Sequence, residues 1–153
     1  MKKLLFILTL AFCLIFALTG CTKDEILGTY NDAIQAAGDA QLTGSRSLEG
    51  KRTYGTDKYT GTYNADYEDF SGIEYLFGGT SIDREAGNEI EITCNLNITD
   101  GSAKLVFQSG ADDPQILIQS TGDYSETIEL PSASNYIVVV GDGFTGSIEL
   151  KIK

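Results

Sequence analysis

Three carboxylate pairs, Asp66 with Glu68, Glu89 with Glu91 and Asp112 with Asp113, have the residue type and spacing for acid–base hydrolysis. A glycosidase needs two carboxyl groups about 5 to 9.5 Å apart across the scissile bond. Neighbours of this kind also arise by chance in a chain with 22 acidic residues. On a β-strand, positions i and i+2 share a face, so Asp66/Glu68 and Glu89/Glu91 more simply form its polar, solvent side. Nothing in the sequence supplies a third group to assist them, because histidine is absent altogether. That absence removes the usual general base, the commonest metal ligand, and the activation of a serine or cysteine nucleophile. Zinc sites of the histidine–cysteine type are excluded by count. The composition therefore predicts a protein that is not an enzyme and carries no cofactor. One metal reading stays open. The turns Asp100-Gly101, Asp112-Asp113 and Asp142-Gly143 could gather at one end of a sandwich and hold a structural calcium, although no EF-hand-type run is present. Asp-Gly is first of all turn chemistry.

Two further groups invite a chemical reading. Cys94 sits between Ile92 and Leu96 on an aliphatic face, where a thiol behaves as a small hydrophobe with a raised pKa. Tyr59, Tyr63 and Tyr67 share one strand face, with Tyr54 upstream and Tyr75 beyond. Such a row can stack on sugar rings as a ligand platform. It can also interdigitate in a core, as the small Gly61 and Ala65 between the rings suggest.

The first twenty residues differ from the rest. Lys2 and Lys3 precede an apolar run from Leu4 to Ala17 broken only by Thr9, and small residues lead to Cys21. This is the n-region, h-region and cleavage site of a secretory signal over residues 1–20. The run is shorter than the ~20 residues that span a bilayer. Leu18-Thr19-Gly20-Cys21 resembles the lipobox of bacterial lipoproteins. The resemblance implies diacylglycerol on the Cys21 thiol, cleavage before Cys21 and acylation of the freed amine. It places the chain on the outer face of the cell membrane, or at the outer membrane in a Gram-negative host. Two or more acyl chains hold a protein stably where one does so only marginally.

Cleavage there would leave nine basic residues against 22 acidic ones, a formal charge of −13. Such a surface repels phosphate backbones and anionic head groups, so nucleic acid is not an expected partner. Of three cysteines, Cys13 would leave with the signal and Cys21 would be lipidated. Only Cys94 remains, so no intrachain disulfide can form despite an exported location.

The positioning elements follow from periodicity. Ile26, Tyr30, Ile34 and Ala37 recur at helical spacing, while Gly28 and Gly38 weaken that pattern, so residues 21–58 read as a lipidated tether with a short helix and a connector. The connector over residues 43–58 carries Arg46, Lys51, Arg52 and Lys58, either a strip for anionic wall polymer or a solvated link. From Tyr59 onward the period is two. Tyr59–Tyr67, then Ile73, Tyr75 and Phe77, each mark a buried face, and Gly78-Gly79 marks a break. Ile90, Ile92, Cys94, Leu96 and Ile98 alternate with Glu91, Thr93, Asn95 and Asn97. Asp100-Gly101 predicts a hairpin to Ala103–Phe107. Strands around 116–118, 127–130, 136–140 and 148–152 follow, the last two separated by Gly141-Asp142-Gly143. Seven or eight short strands predict an all-β, antiparallel, jelly-roll-like β-sandwich over residues 59–153.

The segments Tyr59-Thr60-Gly61-Thr62-Tyr63-Asn64-Ala65-Asp66-Tyr67 and Leu76-Phe77-Gly78-Gly79-Thr80 are similar to a group of small lipoproteins of Gram-positive gut-type bacteria. That group has no established activity, so the resemblance implies a fold and no site. The resulting expectation is a membrane-anchored binding module for an extracellular ligand or cell-envelope carbohydrate. An accessory lipoprotein subunit of an envelope protein complex is the alternative, and a hydrolase the third reading.

Overall fold

The computed structural model describes residues 41–80 and 84–153. The expected signal peptide, the lipidation site Cys21 and the helical spacing over residues 26–37 lie outside the described residues. Among the described residues all regular structure is antiparallel strand: β1 Lys51–Tyr54, β2 Gly61–Thr80, β3 Glu89–Ser109, β4 Gln115–Ile118, β5 Gly122–Glu129 and β6 Ser134–Ile152.

Three of these strands are about 20 residues long, and each folds at its middle. β2 and β6 pair from Gly61↔Ile152 to Thr80↔Ser134, with irregularities at Tyr67/Phe70 and Phe70/Gly72. β3 and β6 pair from Ile92↔Ile152 to Ser109↔Asn135, with irregularities at Ile98/Asp100 and Asp100/Ser102. Each corner holds one residue in the left-handed region: Asp69 (φ 52), Gly101 (φ 69) and Gly143 (φ 58). Bulges of this kind add residues on one strand and bend it. They also reset the inside–outside alternation, so β3 buries Ile90, Ile92, Cys94 and Leu96 before its corner and Ala103, Leu105 and Phe107 after it. Strands that bend at bulges and pass from one layer to the other make the corners of such sandwiches.

The outcome is two layers around one core. One contains β1, residues 61–67 of β2, 144–152 of β6, 89–98 of β3, and β5. The other contains residues 70–80 of β2, 134–141 of β6, 102–109 of β3, and β4. With half-strands counted in chain order, the layers run 1-2-9-4-7 and 3-8-5-6. This is jelly-roll order with one added edge strand. Tyr63, Leu96 and Leu150 from the first layer and Leu76, Leu105 and Val139 from the second share a single buried cluster.

Four local expectations are corrected. Asp100-Gly101 is a corner, not a hairpin, because β3 keeps β6 as its partner on both sides of it. Gly141-Asp142-Gly143 and Gly78-Gly79 likewise lie within continuous strands. The connector over 43–58 belongs to the fold. Lys51–Tyr54 is β1, Thr43 exchanges hydrogen bonds with the Tyr75 backbone, and Arg52 donates to the carbonyls of Thr43, Tyr75 and Leu76. Finally, Ile73 and Tyr75 face outward and Ile73 is 57% exposed, while Glu74 and Leu76 face in. The shift between Tyr75 and Phe77 then lets Phe77 join the core.

Candidate binding face

Alternation fixes what the five-stranded layer shows to solvent. Tyr63, Ala65 and Tyr67 on β2, Ile92, Cys94 and Leu96 on β3, and Ile148, Leu150 and Ile152 on β6 point into the core. Their neighbours Asn64 and Asp66, Thr93, Asn95 and Asn97, and Glu149 and Lys151 must therefore point out. Register aligns these into rows across the strands. Lys51 pairs with Asn64, Asn64 with Glu149, Glu149 with Asn95, and Asn95 with Asp123. The adjoining row is Thr53, Thr62, Lys151, Thr93 and Ser125.

Two open grooves of about 490 and 510 Å³ lie on this face and share Asn64 and Glu149. Volumes in this range suit small ligands. Four carboxylates (Glu49, Asp66, Asp123 and Glu149) and two ammonium groups (Lys51 and Lys151) line them. Asn95 Nδ2 donates to Asp123 Oδ1 at 2.7 Å, which fixes both side chains. Amides both donate and accept, and carboxylates accept only, so the row offers both halves of a hydrogen bond to a ligand. Tyr124 stands at one margin. Burial and its bond to Glu126 push its hydroxyl up to about 12.

Of the two readings of the tyrosines, the ligand platform is corrected and the core reading stands. Tyr59, Tyr63 and Tyr67 are 3%, 0% and 3% exposed, leaving no ring surface for a sugar. Tyr67 packs on Phe144 and Phe70, with ring centroids 4.7 and 5.0 Å away. The hydroxyls of Tyr63 and Tyr67 donate to Glu74 Oε2 at 2.8 and 2.5 Å, and Glu74 is itself 1% exposed. Burial pushes both hydroxyls above the usual tyrosine range, with the Glu74 carboxylate adding to it. Tyr59 lies under the Arg84 guanidinium, which also bonds Asp57 at 2.6 Å.

Cys94 is a free, buried thiol, pushed up to about 12 by burial and by Asp123. The carboxylate pairs do not converge. Asp66 and Glu68 are exposed beside the β2 corner, Glu91 meets Lys153 at 3.5 Å on the surface, and Asp112/Asp113 occupy the exposed loop before β4. Among the described residues no group of three or more acidic or cysteine side chains is placed to hold a metal ion. Of the basic connector residues, Arg52 is engaged with backbone carbonyls while Lys51 joins the polar row.

No protein-family model matches this chain, nor does any curated protein sequence. Solved structures give distant likenesses. A family 29 carbohydrate-binding module is 13% identical, with 69% of this chain and 76% of that chain aligned at a TM-score of 0.36. The Clostridium thermocellum xylanase 10B, in a piece joining a carbohydrate-binding and a catalytic module, aligns at 13% identity and a TM-score of 0.33 over 69% of this chain. This chain spans about a quarter (26%) of that xylanase piece. A periplasmic inhibitor of g-type lysozyme from Aeromonas hydrophila aligns over 73% of this chain and 93% of its own at 14% identity and a TM-score of 0.30.

Proposed function

We propose that this chain is a non-enzymatic binding module, exported and held at the outer face of a membrane by lipid on Cys21, that takes an extracellular carbohydrate on the outer face of its five-stranded layer. One observation carries the reading: the register of β1, β2, β6, β3 and β5 aligns Lys51, Asn64, Glu149, Asn95 and Asp123 in a single polar row beside two open grooves. Sugars present alternating hydroxyl donors and acceptors, and a surface of amides, carboxylates and ammonium groups answers them without stacking. A hydrolytic role finds less support, because the paired carboxylates are all solvent-exposed and the sequence has no histidine.

The test is a glycan array and a pull-down on purified cell wall with the full chain in detergent, run beside Asn95→Ala. Binding that Asn95→Ala weakens supports the reading, and silence on every glycan sinks it. The anchor is tested separately. Cys21→Ser should abolish labelling by fatty-acid analogues and leave uncleaved precursor.

A second reading, an accessory subunit of an envelope protein complex, is favoured by the opposite layer. Ile73 and Ile116 are 57% and 46% exposed on its outer face. Crosslinking in cells would give one dominant protein neighbour in that case, lost in Ile73→Asp.

A further inference from the structure

Resting on the carbohydrate reading, we infer that the occupant is an uncharged linear glycan lying across the strands along the Lys51–Asp123 row, and that polyanionic glycans are turned away. The direction follows from spacing. Neighbouring strands stand about 4.8 Å apart, whereas outward side chains on one strand recur only every ~6.7 Å. A pyranose unit in an extended chain advances by about the strand spacing, so a glycan crossing the strands meets one polar side chain per sugar. A glycan running along a strand falls out of step. The grooves agree with the crossing direction. One is lined from β5 to β2 and the other from β6 to β1, and they meet at Asn64 and Glu149. Five strands span about 19 Å, the length of about four sugar units.

The selectivity follows from charge. An anionic sugar at the Asp123 end would sit beside a carboxylate and meet only the one amide proton that Asn95 has left after bonding Asp123. It would find Glu149 at the centre of the row and Asp66 and Glu49 on the far groove. Lys51 and Lys151 offset only half of these four carboxylates, and the whole chain carries a formal charge of −11. These carboxylates are exposed, so their repulsion of an anionic sugar acts at the short range of direct contact and weakens as salt is added. Neutral hydroxyls meet no such penalty, and the carboxylates serve them as acceptors.

The experiment is calorimetric titration of the full chain in detergent with cellohexaose, xylohexaose, laminarihexaose, mannohexaose and hexagalacturonate, then with shorter forms of the best neutral ligand. At least one neutral hexasaccharide should bind tenfold or more tightly than hexagalacturonate. Affinity should climb from two sugar units to four and flatten beyond. Asn64→Ala and Asn95→Ala should each lose at least fivefold with an unchanged melting temperature. The pair Asp123→Asn and Glu149→Gln should raise hexagalacturonate affinity at least fivefold. Hexagalacturonate binding as tightly as the best neutral chain, or affinity already flat at the disaccharide, would overturn the inference and leave carbohydrate binding standing. A chain that binds none of the five, while the glycan array is also blank, removes the parent reading and this one with it.

Discussion

The hydroxyl of Tyr63 and the carboxylate of Glu74 lie 2.8 Å apart, although eleven positions separate the two residues on a single strand. An unbroken strand would hold them about 36 Å apart. The contact exists because β2 folds over at Asp69–Gly72, bringing its second half across the core to face its first. Glu74 Oε2 receives Tyr63 and Tyr67, while Oε1 accepts the Glu49 backbone N–H at 2.7 Å. One buried carboxylate thus ties together both layers and the segment entering β1.

Removing a hydroxyl from that cluster should destabilise the fold. A hydrogen bond to a charged group is worth about 1.5 to 3 kcal/mol, and a buried acceptor left short of donors adds to the loss. Tyr67→Phe is therefore expected to cost about 2 kcal/mol in urea unfolding. Tyr63→Phe should cost a comparable amount. Because the two hydroxyls share one acceptor and lie 3.1 Å from each other, the double variant should depart from the sum of the singles. Two costs that add cleanly would mean that the hydroxyls act independently.

Much of this architecture is legible in the chain, and what is not has a definite cause. The strand at Ile90–Ile98 reads directly, because its period is local and its two faces differ in chemistry. Asp100-Gly101 misleads, because a left-handed glycine after an aspartate suits a hairpin and a strand corner equally. Only pairing with β6, remote in sequence, distinguishes them. Glu74 defeats pattern reading for a similar reason. Its neighbours Ile73 and Tyr75 are the more apolar, and the donors that make burial tolerable come from the far side of a corner that the local sequence does not announce. The polar row was half visible, since Thr93, Asn95 and Asn97 alternate with the core residues of β3. That Asn95 would align with Asp123 and Glu149 depends on non-local register.

The corners make a prediction of their own. Gly101 sits at φ 69, and a Cβ there would strike the Gly143 carbonyl, the opposing corner of β6. Gly101→Ala combines left-handed strain with a backbone clash and should cost about 2 to 3 kcal/mol. Gly44 is the control, with ordinary φ and open space around it. Gly44→Ala should be neutral or stabilise by about 0.4 to 1 kcal/mol through the unfolded chain. Thermal unfolding of both variants gives the comparison. Equal melting temperatures would show that the corner is not constrained as described.

Cys94 should behave as a core residue and not as a reagent. It is 4% exposed, and burial, reinforced by Asp123, holds its thiol up to about 12. Alkylation requires thiolate, so the native chain at pH 8 should resist iodoacetamide while the urea-unfolded chain reacts. Cys94→Ala should cost about 1 kcal/mol in urea unfolding. Rapid alkylation in the native state would contradict the burial.

Alkaline pH should unfold this protein sooner than its size alone would suggest. Tyr63 and Tyr67 are held above the ordinary tyrosine value by burial, and Cys94 and Tyr124 are raised to about 12. For each group the folded state favours the protonated form. Between its ordinary value and its raised one, a group has lost its proton in the unfolded chain and kept it in the native one. The unfolded state then binds fewer protons, and stability falls as pH rises. The stabilising difference is intact below about pH 8.5, the ordinary cysteine value, and erodes from there toward 12 as the tyrosines join near 10. Each deeply buried group contributes a slope of up to about 1.4 kcal/mol per pH unit inside its window. Urea unfolding at pH 8, 9.5 and 11 should show this decline, with the share of tyrosinate absorbance at 295 nm that Tyr63→Phe and Tyr67→Phe remove appearing only as the chain unfolds. Tyr67→Phe lowers stability at neutral pH but removes one titrating group, so its curve should be shallower and approach the parent's at high pH. Parallel curves for the two proteins would mean that the Tyr67 hydroxyl ionises as freely in the fold as outside it.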